Sequence, residues 1–344
     1  MPINLAVIAG DSGDPRKVLE QFQALLPDQE RTLGPDHPDT LATRDKIAFH
    51  TGGAGDQRKA LELFKALLPD QERILGKDHP GALNTRDNIA ILTAETGDPG
   101  AALALFKALL PDLERVLGRE HPRALALRET IATLTDRTGD PRAALNILRA
   151  LLPDLERVLG KDVPKTFAIR NEIATLAGDT GDGQAALNLF KGLLSDLERV
   201  FGKDHHHVLA TRNNIASWTG EVGDVGEALK LFKTLLPDQE RLLGKDHPDA
   251  LATRNNIAAL TADAEEALEL LKALLPDQER ILGPDHPDSL NTACGLGILT
   301  ILEGDRPEGC RRLRQVLTRA QTRYGPNHPL TSRVNDLINK YACN

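Results

Sequence analysis

Three rows of residues in this chain carry the chemistry of metal or ligand sites, and each row recurs at a fixed interval. His37, His79, His121, His205, His247, His286 and His328 all stand just before a Pro or, once, before another His. Imidazoles bind zinc, but the metal needs ligands converging within about 2.1 Å of one point, and neighbouring helical units pack about 10 Å apart. The row therefore reads as loop structure at helix starts. His205-His206-His207 is the one local cluster with a chance affinity for nickel or zinc. A second row of adjacent charges runs from Glu30-Arg31 through Glu72-Arg73, Glu114-Arg115, Glu156-Arg157, Glu198-Arg199 and Glu240-Arg241 to Glu279-Arg280. So many equivalent acid–base centres in one chain make little chemical sense. Each of these Arg lies three residues after an Asp, as Arg73 follows Asp70, which is salt-bridge spacing on a helix. The third row is Arg44, Arg86, Arg128, Arg170, Arg212 and Arg254, followed by Asp45, Asp87, Glu129, Asn171, Asn213 and Asn255, with a further Asn at Asn88, Asn214 and Asn256. Asn offers both donor and acceptor, and Arg forks onto carboxylates. This row can grip a ligand or tie one unit to the next.

What positions the rows is a repeat. The Pro of Leu-Leu-Pro-Asp falls at Pro27, Pro69, Pro111, Pro153, Pro237 and Pro276, with Ser195 in register, at steps of 42 residues until a last step of 39. A closing Gly recurs at Gly34, Gly76, Gly118, Gly160, Gly202, Gly244, Gly283 and Gly325. Each unit reads as two helices. In one, Asp56 caps a longer helix whose Ala60, Phe64, Leu67 and Leu68 form a single apolar stripe. Gly76 stops it, and Pro80 suits the first position of a shorter helix running to Gly97-Asp98. Pro69 and its counterparts lie well inside the longer helix, where Pro removes a hydrogen bond. A kink is expected there rather than a break and restart.

Phe64 four residues after Ala60, with Ile47-Ala48 upstream, resembles the tetratricopeptide repeat. The longer unit with its Glu-Arg-x-Leu-Gly-x-Asp-His-Pro block resembles the kinesin-light-chain-like subclass, and also the arrays attached to bacterial signalling proteins of the NB-ARC type. The resemblance implies an all-α, right-handed α-solenoid of about eight helix-turn-helix repeats. It also implies that the shorter helices line a concave groove in which Asn and basic side chains hold an extended peptide. Carried to this sequence, the candidate peptide-binding residues are Arg170, Asn171, Arg212, Asn213, Asn214, Arg254, Asn255 and Asn256, beside Trp218. A ladder of Arg-to-acid contacts that stiffens the array is the competing reading of the same row.

One array over residues 1–344 is expected: a partial helix at 1–13, regular units over 14–262, an irregular unit at 263–304 after a shortened turn, and a capping unit at 305–344. Residues 3–13 align with 87–97, so the chain opens partway through a helix and reads as a piece of a longer protein. The net charge of −8 argues against nucleic acid or an anionic membrane as partner. Cys294, Cys310 and Cys343 form no Cys-x-x-Cys pair and read as free thiols, which with the lack of an Asn-x-Ser/Thr sequon points to the cytoplasm. No P-loop, zinc-protease or nucleophile-elbow motif is present. The expected function is a non-catalytic scaffold for a protein or peptide segment, an acidic one among the candidates, with no cofactor and no metal. A self-associating scaffold stacked through its end repeats is the alternative.

Overall fold

A computed structural model describes residues 15–343 as 16 α-helices, with no strand among them. The expected partial helix at 1–13 lies outside the described residues. Two compact units share the chain, residues 1–169 and 170–344, and the division falls inside the helix Pro164–Asp179.

In the first unit, α1 (Pro15–Thr32) is followed by hairpins of a shorter and a longer helix. These are α2 (Pro38–Gly53) with α3 (Gln57–Ile74), α4 (Pro80–Glu95) with α5 (Pro99–Leu117), and α6 (Pro122–Arg137) with α7 (Pro141–Leu159). The start of each shorter helix has a local cause. His37, His79 and His121 hold extended backbone at the cap, with Pro next in the first turn. Each imidazole Nδ1 accepts from the N–H two residues on, 3.0 Å away at Gly81. The histidine row is thus a row of helix caps, doing for these helices what Ser or Asp does elsewhere. The longer helices use Asp: Asp56, Asp98 and Asp140 each accept from the N–H three residues on. The tight turn into Asp98 needs Gly97, whose φ of 105° a side chain would resist. Ala60, Ala102 and Ala144 are wholly buried where helices approach closely, and Phe64, Phe106 and Leu148 fill the space beside them.

The second unit repeats the pattern after α8 (Pro164–Asp179) and α9 (Gly183–Phe201). Its pairs are α10 (His206–Glu221) with α11 (Val225–Leu243), α12 (Pro248–Leu260) with α13 (Ala264–Ile281), and α14 (Pro287–Leu302) with α15 (Arg306–Tyr324), closed by α16 (Pro329–Lys340). His205, His247, His286 and His328 cap as their counterparts do. At the shortened turn α12 ends at Leu260, and Thr261 leaves it in extended backbone, so no left-handed glycine is required.

The longer helices run unbroken through Pro27, Pro69, Pro111, Pro153, Pro237 and Pro276, which removes the break-and-restart alternative. The Asp after five of these prolines is held by an Arg from the preceding shorter helix, which pins the segment where a backbone donor is missing.

The cysteines require a correction. Cys310 and Cys343 are joined in a disulfide across 33 residues, and only Cys294 is a free, buried thiol. Sequence spacing could not foresee the bond, because Cys310 sits early in α15 while Cys343 follows α16, and only the packing of the last helix brings them together.

Candidate functional site

The Arg row faces the next helix of its own hairpin. Arg44 bonds Asp70 at 2.8 Å, Arg86 bonds Asp112 at 2.7 Å, and Arg128 bonds Asp154 at 2.7 Å. In the second unit Arg170 bonds Asp196 at 2.8 Å, Arg212 bonds Asp238 at 2.9 Å, and Arg254 bonds Asp277 at 2.8 Å. The arginines of the Glu-Arg pairs extend each rung. Arg73 spans Asp70 at 3.2 Å and Asp36, in the loop before α2, at 2.6 Å. Arg241 does the same with Asp238 and Asp204, and Arg280 with Asp277 and Asp246. Bonds from Arg44 and then Arg73 hold the Asp70 carboxyl below its ordinary value, and Arg212 and then Arg241 do so for Asp238. These are hydrogen-bonded, half-buried ion pairs, tighter than isolated surface contacts.

The residues that follow the Arg row join one shorter helix to the next. Thr85 donates to Asp45 at 3.2 Å, Thr253 to Asn213 at 3.4 Å, and Thr292 to Asn255 at 3.1 Å. Where the Thr is replaced by Leu127 or Ile169, the follower meets a cation instead: Asp87 with Arg123 at 3.6 Å, and Glu129 with Lys165. Asn214 donates to Asn171 at 3.4 Å, a direct bond between two of the candidate peptide-binding residues. Asn256 instead lines an open depression. Trp218 is half-buried, its ring lying over Gly178 and Gly183 of the preceding hairpin.

Among the depressions beside the shorter helices, two share one register of the repeat, and sequence reasoning missed both. In the first unit, Phe49, Gly52, Phe64, Asn88, Ile91, Leu92 and Glu95 surround a space of about 370 Å³. In the second unit, Ser217, Gly220, Glu221, Phe232, Asn256, Ala259 and Leu260 surround about 270 Å³. Phe49 and Ile91 are 56% and 41% exposed, large apolar side chains left open at equivalent positions of consecutive helices. Only their departure from Thr133, Thr175 and Ser217 at that position in the middle repeats could have signalled the patch. The cluster His205-His206-His207 is spent on helix capping and ring stacking, with ring centres 4.0 to 5.2 Å apart. Among the described residues no group of three His, Cys, Asp or Glu side chains is placed to hold a metal ion, and no helix is long and apolar enough to cross a membrane.

Models described as tetratricopeptide repeat match residues 165–237 and, separately, residues 82–123 and 250–288. No curated protein matches the chain. Among solved structures, the nearly identical TPR-like repeats of a putative kinesin light chain from Podosopora anserina share 23% identity with a TM-score of 0.50, covering 59% of this chain and 97% of that one. BtubC (BKLC) from P. vanneervenii shares 20% identity with a TM-score of 0.53, covering 66% of this chain and 93% of that one. A Signal Transduction ATPase with Numerous Domains from Pyrococcus horikoshii, described as having a tetratricopeptide repeat sensor, shares 13% identity with a TM-score of 0.60; 94% of this chain aligns with 46% of that protein. These likenesses speak to fold. The recurring Ala and Phe contacts, the paired helices and the matched segments agree: the chain carries tetratricopeptide repeats.

Proposed function

We propose that this chain is a non-catalytic scaffold that binds a protein or peptide segment along its shorter helices, as a module of a larger signalling or adaptor protein. The observation that carries the reading is that both units leave an open depression in the same register of the repeat, each with a carboxamide, Asn88 or Asn256, at its edge. An open depression along a helix face suits a peptide segment better than an enclosed small substrate. Among the described residues no convergence of acid, base and nucleophile supports the reading as an enzyme.

Within the candidate row, the carboxamides of Asn214 and Asn256 are the contact groups, and Trp218 shapes the surface between them. Arg170, Arg212 and Arg254 act by holding the hairpins, since each guanidinium is already committed to an Asp. An acidic segment therefore meets no bare cation in this row. The cytoplasmic location proposed from the sequence loses its free-thiol argument at Cys310 and Cys343.

Panning a random peptide library on the whole chain tests the scaffold reading. Peptides should be captured, and Asn88→Ala with Asn256→Ala should weaken capture without moving the melting temperature. Failure to select any peptide, or selection indifferent to both carboxamides, overturns it. Light scattering on the same sample addresses stacking through end repeats, which demands growth of particle mass with concentration.

A further inference from the structure

Both depressions and Trp218 occupy one recurring place in the repeat. A Cβ built on Gly178 would collide with Cη2 and Cζ2 of Trp218, so the indole fills the notch this glycine leaves open. Gly52 and Gly220 stand in the same register as Gly178, and there the residues in register with Trp218 are Leu92 and Leu260. A Cβ on Gly52 would make ordinary contacts with Ala60 at 3.4 Å and the tip of Leu92 at 3.9 Å, and one on Gly220 would meet Ala228 at 3.4 Å. Leucine reaches no further than the edge of the notch, where the indole fills it, and spaces of about 370 and 270 Å³ remain. Elsewhere in this register Ala94 and Asp136 supply a side chain of their own. The chain thus fills one notch with an aromatic ring and leaves two of the same kind empty.

We propose that the notches at Gly52 and Gly220 each receive an aromatic side chain of a peptide partner, with a cationic residue beside it in that partner. This rests on the peptide-binding reading above and gives the ligand its chemistry. The ring is argued from Trp218, which shows the shape the notch accepts. The charge is argued from the rims: Glu95 edges one notch and Glu221 the other, both exposed and without an ion pair among the described residues. Asn88 and Asn256 stand beside them as acceptors for an indole N–H or a phenol. A cation over the rim carboxylate and a ring on the Phe64 or Phe232 floor are complementary to these groups.

The test is a fluorine NMR titration of the full chain with two probes: a fluorinated tryptophanamide, which carries an indole and an ammonium, and the N-acetylated fluorinated tryptophan, which carries an indole and a carboxylate. The amide should saturate two sites, and the acid should bind about tenfold more weakly. Glu95→Gln with Glu221→Gln should weaken the amide about two- to fivefold. Leu92→Trp with Leu260→Trp should abolish binding by copying the plug, while Trp218→Leu should add a third site. Should the double Trp variant fold poorly, Gly52→Ala with Gly220→Ala decides, because the added methyl groups make ordinary contacts and shallow both notches. No saturable binding, equal binding of both probes, or binding that survives the glycine variants overturns the proposal. Library peptides captured without any aromatic residue would overturn it while leaving the scaffold reading intact.

Discussion

Arg128 Nη1 lies 2.7 Å from Asp154 Oδ2, and each of the two side chains is only 9% exposed. Arg128 Nε also donates to Glu114 at 2.7 Å, and Arg119 reaches the same Asp154 oxygen at 3.0 Å. This is the most deeply buried rung of a ladder that is otherwise half-open to solvent. Arg128→Ala leaves two carboxylates without their main partner and should cost about 3 kcal/mol. Arg212→Ala breaks the equivalent rung where the side chains are 25% and 35% exposed, and should cost about 1 kcal/mol or less. Urea denaturation measures both. Equal losses would show that burial is not what distinguishes the rungs.

The ladder also sets the response to acid. Asp36, Asp70, Asp112, Asp196, Asp238 and Asp277 all titrate below their ordinary 3.8, each chiefly through a hydrogen bond from an Arg. A depressed carboxyl contributes stability that is present above the unfolded value and lost as pH falls through the folded one. The melting temperature should therefore hold down to about pH 5 as far as these groups decide it, then fall steeply below about pH 4. Asp45 has the opposite sign, because burial raises its carboxyl. Its favourable share is present at low pH and is lost as pH rises through that raised value. Asp45→Asn should consequently stabilise the chain at neutral pH while still accepting from Thr85, as Asn213 accepts from Thr253. A drop in melting temperature at pH 7 would refute this.

Gln278 is fully buried, and neither its amide nitrogen nor its oxygen has a hydrogen-bond partner. The same place in the repeat holds Leu113, Leu155 and Leu197, all buried. Gln278→Leu should raise stability by about 1 kcal/mol, and Leu155→Gln should lower it by more, since a buried polar group without a partner is the costlier state. Thermal melts of the two variants give the comparison directly.

Because Trp218 fills the space above Gly178, even one methyl group there displaces the ring. Gly178→Ala should destabilise the second unit by about 1–3 kcal/mol. Trp218→Leu in the same chain should relieve most of that loss. A double-mutant cycle that returned plain additivity would mean the ring moves aside freely.

The bond between Cys310 and Cys343 closes 33 residues and ties the last helix to α15. Chain-entropy arguments give such a loop about 3–4 kcal/mol. Reduction should speed hydrogen exchange across residues 306–343 and leave the first unit unchanged. Burial pushes the Cys294 thiol up to about 11, so it should resist alkylation until the chain unfolds. Rapid labelling of Cys294 in the folded protein would contradict its placement.

Much of this was legible because a repeat prints its own alignment. The paired helices, the Asp caps and the Pro at the start of each shorter helix followed from spacing, and the histidines were recognisable as belonging to helix starts. Their role as caps was not, since histidine lies outside the usual capping set. The Arg row left two readings open in the sequence. Which acid each Arg would meet depended on the helix after the turn, and Asp70 lies far from Arg44 along the chain. The depressions were hidden for a related reason. They arise from what is missing at Gly52 and Gly220, and an absent side chain carries no periodic signal when the same glycine at Gly178 is covered by a neighbour's ring. The disulfide depended on where the final helix docks.

Each Arg–Asp rung closes inside a single hairpin, so the charges that matter most travel together when a hairpin is copied or removed. Duplication of a unit such as α10 with α11 would bring its own Arg–Asp set and ask of its neighbours chiefly an apolar face and a hydroxyl. A gene encoding such a chain could grow or shrink by whole cassettes with each Arg–Asp rung intact, and the hairpin holding Arg128, which also draws on Glu114 of its neighbour, is the one least easily moved.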